Sequence, residues 1–144
     1  MQKVSNKIIA LNIFSPIVLG AVIYYLISPE VLFVKQIDEL LGQSFHFSGF
    51  STDNLLMQFI RNHFLDMLWG YALVFALFFV LGNNAAVLWK TFLIAFSFST
   101  AMEILQITPI AKGTFDMWDI IAEFLAEAVA VFIIKILLTR RKLK

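Results

Sequence analysis

The sequence predicts an all-α polytopic membrane protein, with four transmembrane helices in one bundle and an extracytoplasmic interfacial helical segment between the first and second. Of 144 residues, 60% are hydrophobic and only 15% are charged, and the mean hydropathy is +0.86, outside the balance of a water-soluble domain. The apolar residues also fall into four runs, each close to the ~20 residues that cross a bilayer core. A single membrane domain, 1–144, is expected, because the length leaves no room for a bundle and a second folded module. The chain has no cysteine, which excludes disulfides, thiolate metal sites and cysteine nucleophiles.

The first crossing is read at about 8–27, where only Asn12 and Ser15 interrupt the apolar run. Lys3 and Lys7 precede it as in a signal peptide, but the run is long and no small-residue cleavage site follows, so a retained anchor is expected. Ser28-Pro29-Glu30 then opens an amphipathic helix. Its apolar Val31, Val34, Ile37 and Leu41 face away from Lys35, Asp38 and Glu39, and Gly42 stops it. This pattern fits a helix lying in the outer interface. A loop runs from Gln43 to Ser51, and Ser51-Thr52-Asp53 caps a helix carrying Leu55, Leu56 and Phe59 that continues into the second crossing.

The second crossing, about 64–81, is broken only by Asp66 and ends at Gly82-Asn83-Asn84. The third is read at about 88–106. The fourth, about 117–138, is long enough to cross despite Asp119, Glu123, Glu127 and Lys135. Cationic loops resist translocation, so Lys3, Lys7, Lys90, Lys135 and the Arg140, Arg141, Lys142, Lys144 cluster place both termini in the cytoplasm. Lys35, Arg61 and Lys112 fall outside. Trp89, Trp118 and the Tyr24-Tyr25 pair sit at helix ends, where aromatic side chains anchor to the interface. The basic tail reads as a stop-transfer anchor on anionic headgroups. Too few cations occur elsewhere for a nucleic-acid surface.

Ionisable side chains in a spanning helix each cost about 2.5–3.5 kcal/mol on insertion scales, so they need a partner, water or a task. Here they are aligned. At about 100° per residue, Asp116, Asp119, Glu123 and Glu127 share one stripe of the fourth helix. Glu103 and Gln106 share a face near the end of the third, and Asn62 and Asp66 are four apart on the second. In a four-crossing topology these sets lie at similar depth, and the carboxylates converge on a pocket open to the extracytoplasmic side. A plainer reading makes Thr114 or Asp116 an N-cap and Asp119 a first-turn acid favoured by the helix dipole. Glu123 and Glu127 lie too deep for that, and Glu103 sits near a helix C-terminus, where the dipole disfavours a negative charge, but all three also suit a structural role as protonated partners across helices. His46 and His63 read as isolated interfacial histidines.

Glu103-Ile-Leu-Gln106, followed after a short loop by Asp116-Met-Trp-Asp119, resembles the E-x-x-Q and D-x-x-D signature of the VanZ-like family of small multi-pass membrane proteins. The segment Asn62-His-Phe-Leu-Asp66-Met-Leu-Trp69-Gly-Tyr71 is similar to the second-helix segment of one branch. Where many members carry an arginine before D-x-x-D and Asn-x-x-Gly beyond it, this chain has Gly113, Glu123 and Ala126. The resemblance implies a cell-envelope role of the glycopeptide-resistance kind, without supplying a reaction.

The leading expectation is an acidic outward pocket of Glu103, Gln106, Asp116 and Asp119, supported by Asp66, Asn62 and Glu123. It would bind a cationic compound or a lipid-linked envelope precursor, with the bilayer as surroundings and a homo-oligomer allowed. One alternative is an intramembrane enzyme on a lipid-linked substrate, with Glu103, Asp116 and Asp119 holding Mg²⁺ or Mn²⁺. No histidine cluster, serine elbow or phosphate loop supports it, so the sequence leans against an enzyme and no cofactor is expected. Two further alternatives are a proton or cation path along Glu123 and Glu127, and a scaffold subunit of an envelope complex.

Overall fold

The computed structural model describes residues 3–28, 31–46, 55–108 and 115–140. Among these the chain is helical throughout, without a strand. Pro29, Glu30, Ser51, Thr52, Asp53, Lys112, Gly113, Thr114, Arg141, Lys142 and Lys144, named above as caps, motif positions or topology signals, lie outside the described residues, as does the Arg61 side chain.

The helices are α1 (Asn6–Ile27), α2 (Leu32–Leu41), α3 (Leu55–Phe59), α4 (Leu65–Leu81), α5 (Leu88–Leu105) and α6 (Met117–Arg140). Between α3 and α4 lies a π-turn, Ile60–Phe64, so the helical path runs unbroken from Leu55 into the second apolar run, as expected. Three segments are long and apolar enough to span a membrane: Asn6–Ile27, Asn62–Leu81 and Ala85–Leu105. With 24 residues, α6 is about 36 Å long at 1.5 Å per residue. Asp119, Glu123, Glu127 and Lys135 set it apart from the other three in composition.

α4 is the centre of the bundle, packing against α1 on one side and against α5 and α6 on the other, while α5 and α6 also pack together. The spans keep most of their apolar side chains on the outside. Only 11% of the apolar window of α1 is buried, and Leu11, Phe14, Val18 and Val22 point outward. In water such a patch would drive association, whereas lipid solvates it without penalty. The interior apolar core sits at one end: Phe75 and Phe78 of α4, Ala95 of α5, Ala130, Ile134 and Leu138 of α6, with Val4 and Ile9. Phe124 meets the edges of Phe92 and Phe96, with centroids 5.7 and 5.4 Å away, and so stitches α6 to α5.

That core end is closed by the turn after α4. Gly82 (φ 131°) and Asn83 (φ 50°) take the left-handed region, which glycine and asparagine tolerate. The Asn83 side chain then reaches across to the start of α1. Its Oδ1 accepts the Val4 N–H at 2.8 Å, and its Nδ2 donates to the Val4 carbonyl at 2.8 Å. Asn12, the polar interruption in α1, is satisfied too: Tyr71 Oη donates to its Oδ1 at 2.5 Å, and its Nδ2 donates to the Ile8 carbonyl at 2.8 Å.

α2 is capped differently from the sequence expectation. Val31 stands at the N-cap without a side-chain bond, and Ser28 instead closes α1, its N–H donating to the Tyr24 carbonyl. Gly42, at φ 63°, terminates α2 as expected. Leu32, Phe33, Leu40 and Leu41 are exposed, an outward apolar edge suited to an interface. His46 is no isolated histidine. Its Nε2 lies 2.6 Å from Asp38 Oδ2, its Nδ1 lies 3.1 Å from the Tyr25 carbonyl, and Tyr25 Oη donates to Asp38 Oδ1 at 2.6 Å.

These contacts moor α2 to the end of α1. The hydrogen bonds from Tyr25, and then from His46, hold the Asp38 carboxyl below its usual range. A depressed folded value means that the stabilisation is complete above the unfolded value, about 3.9, and is lost as pH falls through the folded one. The protection of residues 32–41 against amide exchange, relative to the intrinsic rate at each pH, is therefore expected to hold at pH 5 and to fall below about pH 4. In Asp38→Asn, exchange should already be faster at pH 5. An unchanged rate in that variant would show that the mooring does not hold α2.

Candidate functional site

The end of the bundle opposite the apolar core is acidic. The start of α4 supplies Asp66, the end of α5 supplies Glu103, and the first three turns of α6 supply Asp119, Glu123 and Glu127. Glu127 is 0% exposed. It fits because α4 carries Gly70 opposite it: a Cβ built there would lie 3.4 Å from Glu127 Cγ and 3.8 Å from the Glu123 carbonyl. A small residue thus lets the two helices close over a carboxylate. Ser99 of α5 donates to Glu127 Oε1 at 2.8 Å.

Glu103 is 5% exposed, and its Oε1 accepts from Gln106 Nε2 at 2.7 Å. The i, i+3 pairing read from the sequence therefore forms. The charges acting on Glu123 are all carboxylates: Asp66, Glu103, Glu127 and Asp119. Glu103 Oε2, Glu123 Oε2, Glu127 Oε2 and Thr100 Oγ1 are buried without a protein partner. Buried carboxylate oxygens left unpaired are costly in a low-dielectric interior.

A cavity of about 490 Å³ adjoins these oxygens. Asp66, Ser99, Glu103, Gln106 and Glu123 line its polar end, and Ile13, Ile17, Leu73, Ala76 and Phe98 its apolar part. It lies over α4 in the gap between α1 and α5. A neighbouring cavity of about 350 Å³, lined by Gly20, Ala21, Tyr24 and Leu65, shares Ile17, Asp66 and Trp69 with it. Asp66 stands where the two meet.

The N-cap reading of Asp116 is realised: its Oδ1 accepts the Trp118 N–H at 2.9 Å. Asp116 and Asp119 border the cluster without lining the main cavity, as Glu103, Gln106, Asp66 and Glu123 do. Asn62 is exposed and lines no cavity described here. The four-residue spacing from Asp66 assumes α-helical phase, and the π-turn at Ile60–Phe64 changes that phase just before Asp66. The same turn brings His63 inward to hydrogen-bond Asp119 through Nδ1, with side chains only 17% and 14% exposed. Sequence reasoning missed His63; the available signal was its place one turn before Asp66 on a helix facing an acidic stripe.

Comparison of the chain with protein-family models, with curated proteins and with solved structures finds no match.

Proposed function

We propose that this protein is a VanZ-like membrane protein of the cell envelope, with four crossings and both termini in the cytoplasm, that binds an amphiphile in its acidic cavity. The ligand's cationic or polyhydroxyl head meets Glu103, Gln106, Asp66 and Glu123, and its hydrocarbon tail lies in the apolar gap between α1 and α5. The observation that carries this reading is the meeting of unpaired buried carboxylate oxygens with an apolar cavity of about 490 Å³. In a bilayer such a gap opens sideways to lipid, so the ligand enters from the membrane. A lipid-linked envelope precursor or a cationic compound has the required chemistry, while a bare phosphate is repelled by the acidic end.

A through-going proton path has less support. Beyond Glu127 the interior is filled by Phe75, Phe78, Ala130 and Ile134, none of which carries a proton.

Trp69 lines the cavity and reports on its occupancy. In a Trp89→Phe, Trp118→Phe background in nanodiscs, a long-chain alkylammonium is expected to change Trp69 fluorescence saturably. Glu103→Gln is expected to weaken that binding about tenfold, near 1.4 kcal/mol. A linear, non-saturating response that is the same in both proteins means simple partitioning into lipid, and overturns the reading.

A further inference from the structure

We propose that His63, Asp116 and Asp119 form a divalent transition-metal site joining the start of α4 to the start of α6. One donor atom from each residue lies within 4.8 Å of the others, and all three side chains are partly buried. An ion with bonds of about 2.0–2.2 Å spaces its ligands about 3.3 Å apart, so His63 and Asp119, already in hydrogen-bond contact, part slightly while Asp116 moves in to complete the set.

Each residue has its own reason to be there. The π-turn aims His63, the first turn of α6 presents Asp119, and the N-cap position fixes Asp116. A π-turn is a less favourable backbone than an α-helix, and such turns persist mostly where they place a working side chain. His63 Nδ1 and Asp119 are joined by a hydrogen bond. A bound ion takes the place of that bond, as metals do at imidazole–carboxylate pairs.

An independent observation points to the same ligand. Glu103, 5% exposed, has Oε1 held by Gln106 while Oε2 has no protein partner. Its carboxylate borders the Asp116 backbone N–H and the charge of Asp119. It is thus placed to accept a hydrogen bond from a metal-bound water. One imidazole with two carboxylates suits Mn²⁺, Fe²⁺ or Zn²⁺ better than Mg²⁺ or Ca²⁺, which favour oxygen alone. The inference goes beyond amphiphile binding. It concerns the rim of the acidic end, and its ligands, His63, Asp116 and Asp119, are not among the residues that line the cavity.

The test is a titration of the chelator-stripped full-length protein in detergent with Mn²⁺, followed by the EPR signal of the free ion, with Zn²⁺ and Mg²⁺ as competitors. One Mn²⁺ per chain is expected, displaced by Zn²⁺ and not by equimolar Mg²⁺. His63→Gln and Asp116→Asn should each weaken binding at least about tenfold, whereas Glu127→Gln, deeper in the bundle, should leave it unchanged. Helical circular dichroism and a single gel-filtration peak verify folding. Asp116 precedes α6 and lies outside the apolar core, so its variant remains informative if His63→Gln misfolds. Absence of saturable binding overturns the site. So does equal loss in Glu127→Gln, because the ion would then be held diffusely by the acidic cavity. Loss of alkylammonium binding with intact 1:1 Mn²⁺ binding would sink the proposed function alone.

Discussion

Asn83→Ala is expected to destabilise the protein by about 2–4 kcal/mol, a large effect for one polar residue at a helix turn. Asn83 is 6% exposed, and its amide satisfies both backbone groups of Val4. Truncation leaves that N–H and that carbonyl buried and unpaired, at about 1–3 kcal/mol each, partly relieved if water enters. It also leaves a Cβ residue in the left-handed region at φ 50°, which costs about 1–2 kcal/mol where no asparagine side chain compensates. Asn83→Gly separates the two causes, because glycine adopts that φ freely and loses only the hydrogen bonds. The unfolding midpoint in mixed micelles should therefore fall in the order wild type, Asn83→Gly, Asn83→Ala. An alanine variant within about 0.5 kcal/mol of wild type would mean that the start of α1 is not held by this clamp.

Glu123→Gln is expected to act in the opposite direction, raising stability by about 1 kcal/mol at pH 7 and the melting temperature by about 2–4 °C. Glu123 faces four other carboxylates, and one of its own oxygens is buried without a partner. Glutamine keeps the shape, brings two N–H donors to the acceptors around it and cannot take on a charge beside the other carboxylates. Alkylammonium binding should weaken in the same variant. That opposition, greater stability with poorer binding, is the mark of groups held together for a ligand at a cost to the fold. A lower melting temperature would instead make Glu123 a structural partner of its neighbours and remove the main support for the cavity as a binding site.

Three spans were legible because each is a long apolar run, and Gly42 and Gly82-Asn83 stop α2 and α4 where the sequence says they should. The acidic stripe of α6 and the Glu103–Gln106 pair were legible as well, since helical phase places them without reference to anything distant. What depends on phase errors or on remote partners was not. Asn62 and His63 exchange places in the reading because a π-turn has no clear sequence signature. The Tyr25–Asp38–His46 mooring joins residues from three separate segments, and Gly70 looks unremarkable until Glu127 is found against it. The gap between α1 and α5 follows from which helices fail to pack together, which periodicity does not encode.

On the four-crossing topology proposed above, the mixed character of α6 bears on how the protein is made. On insertion scales, Asp119, Glu123, Glu127 and Lys135 make it a poor substrate for the translocon by itself, each adding up to about 2.5–3.5 kcal/mol at mid-membrane depth. Ribosomal synthesis delivers it after α4 and α5, when Gly70 already offers room for Glu127 and Ser99 already offers a hydroxyl. α6 would thus leave the insertion machinery onto a waiting surface and need not dissolve alone in lipid. Chain order, on this view, is itself part of what makes an acidic membrane interior attainable.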